Sequence, residues 1–228
     1  MKLCIDPGLM ARGTLRVLVP AVLALLVLAG CESAEDRAAG YVARAEQLLE
    51  EDNLVKAELE VRNALQIEPK NADARFLLAK VAESRGDFGE MAANLRSAIE
   101  ARPDFLEARL KLGTLYALSG ASELAQEQLT ESEKVAPNDP EVRILKARLL
   151  AIKGDLEGAS AELQAAIEAK TDSMEALGLL ANVTAESDVD AALKIVDDAI
   201  ASTDDNRVLR LLKVQLLERG GYTDQVES

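Results

Sequence analysis

The sequence predicts an all-α fold, a solenoid of stacked helix–turn–helix units. Two observations carry this reading. Gly86, Gly120 and Gly154 succeed one another at a step of 34 residues, as do Pro69, Pro103 and Pro137. Ala57, Met91, Ala125 and Ala159 keep the same step, and so do Ala64, Ala98, Ser132 and Ala166. A period of this length, with a glycine turn inside each unit and a proline near its end, belongs to helical repeats that cannot bury their apolar faces alone and therefore stack. Composition agrees. Hydrophobic residues make up 49% of the 228 residues but aromatics only 3%, so alanine and leucine, both good helix formers, carry the apolar content.

Taken in order, the chain opens with a targeting segment. Val17 to Ala29 is an apolar run interrupted by Pro20, with Arg12 and Arg16 ahead of it. A bilayer-spanning helix needs about 20 apolar residues, so this run is too short to span and has the form of a signal-peptide core. Met10 offers a second start, which would drop Asp6 and Pro7 from an otherwise basic leader. The run ends Leu28-Ala29-Gly30-Cys31. This resembles the lipobox of bacterial lipoproteins, which implies cleavage of residues 1–30, acylation of Cys31 with fatty acyl groups such as palmitate, and anchoring to a membrane of the envelope. More than one acyl chain makes such an anchor stable. Glu32 is not the aspartate that favours inner-membrane retention in such lipoproteins, which points to the outer membrane. Residues 31–40 leave only a short link, because Ser33-Ala34-Glu35-Asp36 has the form of a helix N-cap.

Six units come next. In residues 38–71, Tyr41, Ala45 and Leu48 form one helical stripe, Glu51-Asp52-Asn53 a turn, and Ala57, Val61 and Ala64 a second stripe. Residues 72–105 are the most regular copy: Leu78-Ala79 and Ala82, the turn Gly86-Asp87-Phe88, then Met91, Leu95 and Ala98. Gly86 suits the left-handed position after a helix end. Residues 106–139 use Leu112-Gly113, Tyr116, Gly120, Ala125 and Leu129. Residues 140–173 use Ala147, Leu150, Gly154-Asp155-Leu156, Ala159 and Leu163, with Thr171 in the proline position. In residues 174–205 the step falls to 33, and the turn, read as Ser187-Asp188-Val189-Asp190, has no glycine. Residues 206–228 open a sixth unit with the turn Gly220-Gly221-Tyr222. Its Leu211, Leu212, Leu216 and Leu217 then lack a second helix to cover them, which favours a fragment of a longer array.

The pattern is similar to the tetratricopeptide repeat, carried by Leu78-Ala79, Gly86-Asp87-Phe88, Ala98 and Pro103 and extending over residues 38–228. It departs from that family in having no Trp, in Thr171 and in the shortened fifth turn. The resemblance implies a right-handed superhelix whose first helices line a concave groove, and a scaffold that binds peptides or helices of other proteins rather than an enzyme. With the lipobox, the chain resembles the tetratricopeptide lipoproteins of the bacterial envelope. Among these the first unit, Val55-Lys56-Ala57-Glu58-Leu59 with Asn63-Ala64-Leu65, is similar to the lipoproteins of exopolysaccharide and exosortase (PEP-CTERM) systems. The type IV pilus secretin pilot and the lipoprotein of the outer-membrane barrel-assembly machine are the alternatives.

Chemistry narrows the function further. The chain has no histidine, so Ser-His and Cys-His nucleophiles are impossible, and no cysteine lies beyond Cys31. No phosphate loop or metal-ligand spacing appears, and no cofactor, metal or small-molecule substrate is expected. The net charge of −14 comprises +2 on residues 1–30, which leaves −16 on the rest. Such a body repels nucleic acid and anionic headgroups. Glu50-Glu51-Asp52 and Asp197-Asp198 lack calcium-loop spacing and read as helix-end and surface acids. Projected onto a groove, Val42, Phe76, Leu110 and Ile144 form one ladder. Lys80, Arg148 and Asn182, with Glu46 and Thr114, form the next. The candidate contacts are therefore Val42, Phe76, Lys80, Leu110, Ile144, Arg148 and Asn182. An apolar strip flanked by Lys80 and Arg148 would hold an amphipathic or extended peptide bearing a carboxylate; alternatively the ladder is packing and the two bases are solvated.

Overall fold

A computed structural model describes residues 33–170, 173–202 and 207–222. The lipobox, Cys31 and Thr171 lie outside these residues. Among the described residues the chain is all-helical, with eleven α-helices and no strand. The chain divides into two compact units, residues 1–69 and residues 70–228.

The first unit holds one antiparallel pair, α1 (Ala34–Glu50) and α2 (Leu54–Ile67). Helix α1 begins where Ser33 accepts from the Asp36 amide while Asp36 accepts from the Ser33 amide, so two orphan helix-end donors are satisfied reciprocally. Small residues let the two helices approach: Ala38, Ala45, Ala57 and Ala64 are fully buried together with Val61. The turn between them places Asp52 at φ 56°, the only non-glycine residue with positive φ among those described.

The second unit stacks the remaining helices. First helices are α3 (Ala72–Ser84), α5 (Leu106–Leu118), α7 (Pro140–Ile152), α9 (Met174–Thr184) and α11 (Arg207–Gly220). Second helices are α4 (Phe88–Ala101), α6 (Ser122–Val135), α8 (Leu156–Ala169) and α10 (Val189–Ser202). Each helix packs on its sequence neighbours, and first helices also touch the next first helix, as in α5 on α7 and α7 on α9. Gly113 permits the former: a Cβ there would lie 2.7 Å from Leu145 Cδ2. The core is a series of small clusters, such as Leu95, Ala98 and Leu112, then Leu129, Leu145 and Leu149, then Leu163, Ala166 and Leu180.

Turn chemistry sets the period. Gly86, Gly120 and Gly154 adopt φ of 73°, 78° and 82°, a region costly for other residues. In each case the next amide reaches back five residues, Asp87 to Ala82, Ala121 to Tyr116 and Asp155 to Leu150, closing a Schellman-type helix end. Asn53 to Leu48 and Tyr222 to Leu217 repeat the bond. The fifth unit's turn is different, and it corrects the sequence reading of Ser187 to Asp190. Val189 and Asp190 already belong to α10, and the turn is Ala185 to Asp188. Helix α9 has 11 residues where α3, α5 and α7 have 13, while its turn is one residue longer, so the unit is one residue short. The Asp188 amide reaches back only four residues, to Thr184, and no left-handed residue is required.

Polar side chains tie first to second helices inside a unit. Arg143 and Lys146 of α7 both reach Glu162 of α8, at 2.8 and 2.7 Å. Burial pushes the Glu162 carboxyl up, but the hydrogen bonds from Lys146 and Arg143 outweigh it and hold the group below the usual carboxylate value. One unit earlier the same register gives Arg109 and Gln128, at 3.3 Å. Of the four α11 leucines expected to lack a covering helix, Leu212 and Leu216 are buried with residues of α9 and α10, Leu217 is buried as well, and Leu211 is 61% exposed.

Candidate functional site

The face made by the first helices of the second unit carries a connected trough. Its largest part, about 540 Å³, lies over α5 and α7 and is floored by Leu110, Leu115, Ile144 and Leu145, with Phe88 and Leu118 at the edge. Leu118 also borders a second part of about 350 Å³, walled by Arg148, Ile152, Leu179 and Val183. Leu179 and Val183 continue into a third part of about 450 Å³ beside Asn182 and Glu186. Three large apolar side chains on this path stand in solvent: Phe88 is 58%, Leu118 69% and Ile152 50% exposed. They lie at the two ends of turns, where the helix period delivers an apolar residue beyond the stripe needed for packing.

The trough's rim is acidic. Glu83, Glu107, Glu141 and Glu175 border the largest part, against one cation, Lys111. Glu107, Glu141 and Glu175 each occupy the second position of a first helix, where a carboxylate also complements the helix macrodipole. Glu83 is bound by Lys111 at 2.7 Å, Glu141 by Lys170 at 3.0 Å and Glu175 by Arg148 at 2.8 Å. Glu107 has no ion-pair or hydrogen-bond partner among the described residues; Lys111, one turn on, is turned to Glu83.

The residues singled out from sequence have different fates. Val42 lies in the first unit, half-buried on α1. Leu110 and Ile144 share the largest part of the trough, although Ile144 is only 3% exposed and belongs to the core. Arg148 lines the second part and Asn182 the third. Phe76 is 6% exposed and packs on Phe105 with ring centroids 4.9 Å apart; Lys80 sits 6.0 Å from the Phe76 ring. The structure thus brings Leu110, Ile144, Arg148 and Asn182 along one path and sets Phe76 and Lys80 together outside its lining. Arg148 is 16% exposed and already engaged by Glu175, so its charge is compensated internally. Sequence reasoning missed the acidic rim and the exposed Phe88, Leu118 and Ile152. A signal existed: Asp73, Glu107, Glu141 and Glu175 keep the 34-residue step. Among the described residues no group of acids is placed to hold a metal ion, and no helix is long and apolar enough to cross a membrane.

Stacked helix pairs with a side-chain-lined trough along their first helices define a helical-repeat solenoid. Within it, residues 82–149 match the tetratricopeptide repeat family. A comparison with curated proteins gives no match. Solved structures share the fold. The tetratricopeptide protein TTC0263 of Thermus thermophilus superposes with a TM-score of 0.68 at 20% identity, covering 79% of this chain and 98% of that one. PilF of Pseudomonas aeruginosa gives 0.67 at 17% identity, covering 86% and 90%. PilW, described as a widely conserved type IV pilus biogenesis factor, gives 0.71 at 16% identity, covering 83% and 89%. No catalytic family is indicated.

Proposed function

We propose that this protein is a lipid-anchored scaffold of the bacterial cell envelope, facing the periplasm, that holds partner proteins or peptides in the trough along its first helices. The observation that carries the binding half is the run of exposed Phe88, Leu118 and Ile152 along a connected apolar path, since contiguous exposed apolar surface marks interaction sites. The anchor half rests on Leu28-Ala29-Gly30-Cys31 after a short apolar run with a basic flank. The outer membrane is the proposed location, with Glu32 as its support. Leu110, Ile144, Arg148 and Asn182 are the proposed contacts of the trough; Phe76 and Lys80, outside its lining, and Val42, on the first unit, are separate proposed contacts. The proposed system is exopolysaccharide and PEP-CTERM protein export, supported by the likeness of the first unit, Val55 to Leu65. A second reading places the same scaffold in type IV pilus assembly as a secretin pilot. Its support is the long overlap with PilF and PilW, a likeness of fold.

The anchor is tested by expressing the full chain and Cys31→Ser in a Gram-negative host fed with labelled palmitate. The full chain is expected to take up label and sediment with membranes, and Cys31→Ser to lose the label and leave the membrane fraction. Equal labelling of the two, or none in either, would overturn the anchor.

A further inference from the structure

The repeat register explains why Glu107 stands alone. Asp73, at the second position of α3, is bound at 2.6 Å by Arg102, the residue that ends α4. Glu141, at the second position of α7, is bound at 3.0 Å by Lys170, the residue that ends α8. Both pairs span 29 residues and close a unit by joining the start of its first helix to the end of its second. In the unit between them the acid is Glu107 and the residue that ends α6 is Ala136. The cation that the register requires is absent, and the uncompensated carboxylate borders the largest part of the trough, beside Leu110 and within the reach of a segment lying on Leu115 and Leu118.

From this we infer that the trough takes a cationic amphipathic segment: apolar side chains on Leu110, Leu115 and Leu118, and a lysine or arginine on Glu107. The inference rests on the reading of the trough as the binding face and names the chemistry of its partner. Charge complementarity supports it on two scales. Of the four carboxylates that border the principal cavity, Glu83, Glu141 and Glu175 are paired within the chain and Glu107 is not, and the whole chain carries −14. Such a field draws a basic segment in and rejects an acidic one. Apolar contact supplies most of the affinity, and Glu107 fixes the register. A cation on Glu107 restores the closing pair of the third unit from outside the chain. The same geometry disfavours a carboxylate-bearing ligand at this point, since Lys111 and Arg148 are already engaged by Glu83 and Glu175.

The test uses the purified full chain and three fluorescent helical peptides of equal length: leucine–lysine, leucine–glutamate and serine–lysine. Fluorescence anisotropy reads the affinities. The leucine–lysine peptide is expected to bind about tenfold more tightly than either of the others. Glu107→Gln and Ala136→Arg are each expected to weaken it about fivefold. The first removes the charge and the second supplies the missing internal partner; circular dichroism of both should match the parent. Glu107→Gln is isosteric and exposed, so it stands as the test even if Ala136→Arg perturbs folding. Leu118→Asp, at a position 69% exposed, should weaken binding without unfolding the chain. If the two leucine peptides bind equally and Glu107→Gln changes nothing while Leu118→Asp abolishes both, the cationic partner is wrong and the trough reading stands. If Leu118→Asp has no effect, or no peptide binds, both fall.

Discussion

Ser132 is the clearest exception among single residues. It stands in the row Ala64, Ala98, Ser132, Ala166, whose members are all fully buried, and its Oγ has no hydrogen-bond partner. A buried hydroxyl without a partner costs about 1–3 kcal/mol relative to its hydrated state. The row shows that a methyl fits. Ser132→Ala is therefore expected to raise the midpoint of urea unfolding, with a gain of about 1 kcal/mol. A loss would mean that the hydroxyl is bonded after all. The row itself was legible in the sequence, because a fixed step needs no structure to be seen. The unmet hydroxyl was not, since it depends on where neighbouring carbonyls point. The candidate contacts were legible to a similar degree. Periodicity located Leu110, Ile144, Arg148 and Asn182 along the first helices, but it assigned no depth. Depth is decided by packing between units, which buries Ile144 and Phe76 and leaves Leu118 in solvent.

At the level of helices, the second helices differ in how they begin. Asn53, Asp87 and Asp155 each accept a hydrogen bond from an amide of the first turn of α2, α4 and α8. The equivalent residue before α6 is Ala121, which makes no such bond. Replacing alanine by an aspartate at an N-cap is worth about 1 kcal/mol. Ala121→Asp is thus expected to raise the melting temperature by about 2–4 °C, the shift that 1 kcal/mol produces in a chain of this size. An unchanged melting temperature would show that the α6 start is satisfied by water at no cost. The start of α5 has the same defect. Asn71, Asp139 and Ser173 cap α3, α7 and α9, whereas Phe105 occupies that position and instead packs beneath Phe76 and the Arg102 guanidinium, 3.7 Å from its ring. Cap positions repeat as faithfully as the glycines do, so these substitutions were readable from sequence. The fifth turn was readable only in part. The missing residue showed in the shortened step, but its loss is divided between a helix two residues shorter and a turn one residue longer, a partition that hydrogen bonding alone decides.

Across the whole molecule the exceptions collect in one place. Phe105, Ala121, Ser132 and Ala136 all belong to the third unit or its edge; Phe105, Ala121 and Ala136 each remove an interaction that neighbouring units keep, and Ser132 adds a buried hydroxyl without a partner. In a repeat array, stability is approximately a sum of unit terms and nearest-neighbour terms, so a weak unit inside the array opens more readily than its position suggests. Backbone amides of α6 are accordingly expected to exchange with deuterium faster than those of α4 and α8. The double change Ala121→Asp with Ser132→Ala should remove the difference. Equal protection in the parent would show that neighbour contacts mask the local losses. The fold class was legible because the period repeats it five times over; the function is harder to read because the proposed binding depends on the places where the period fails. Ala136 is one such place, and its failure has a thermodynamic consequence. A partner whose cation reaches Glu107 replaces a bond that the scaffold lacks, and any ligand that binds only the folded unit stabilises it by an amount that grows with the logarithm of its concentration. The third unit would then act as a gauge of occupancy, loose when the trough is empty and firm when it is filled.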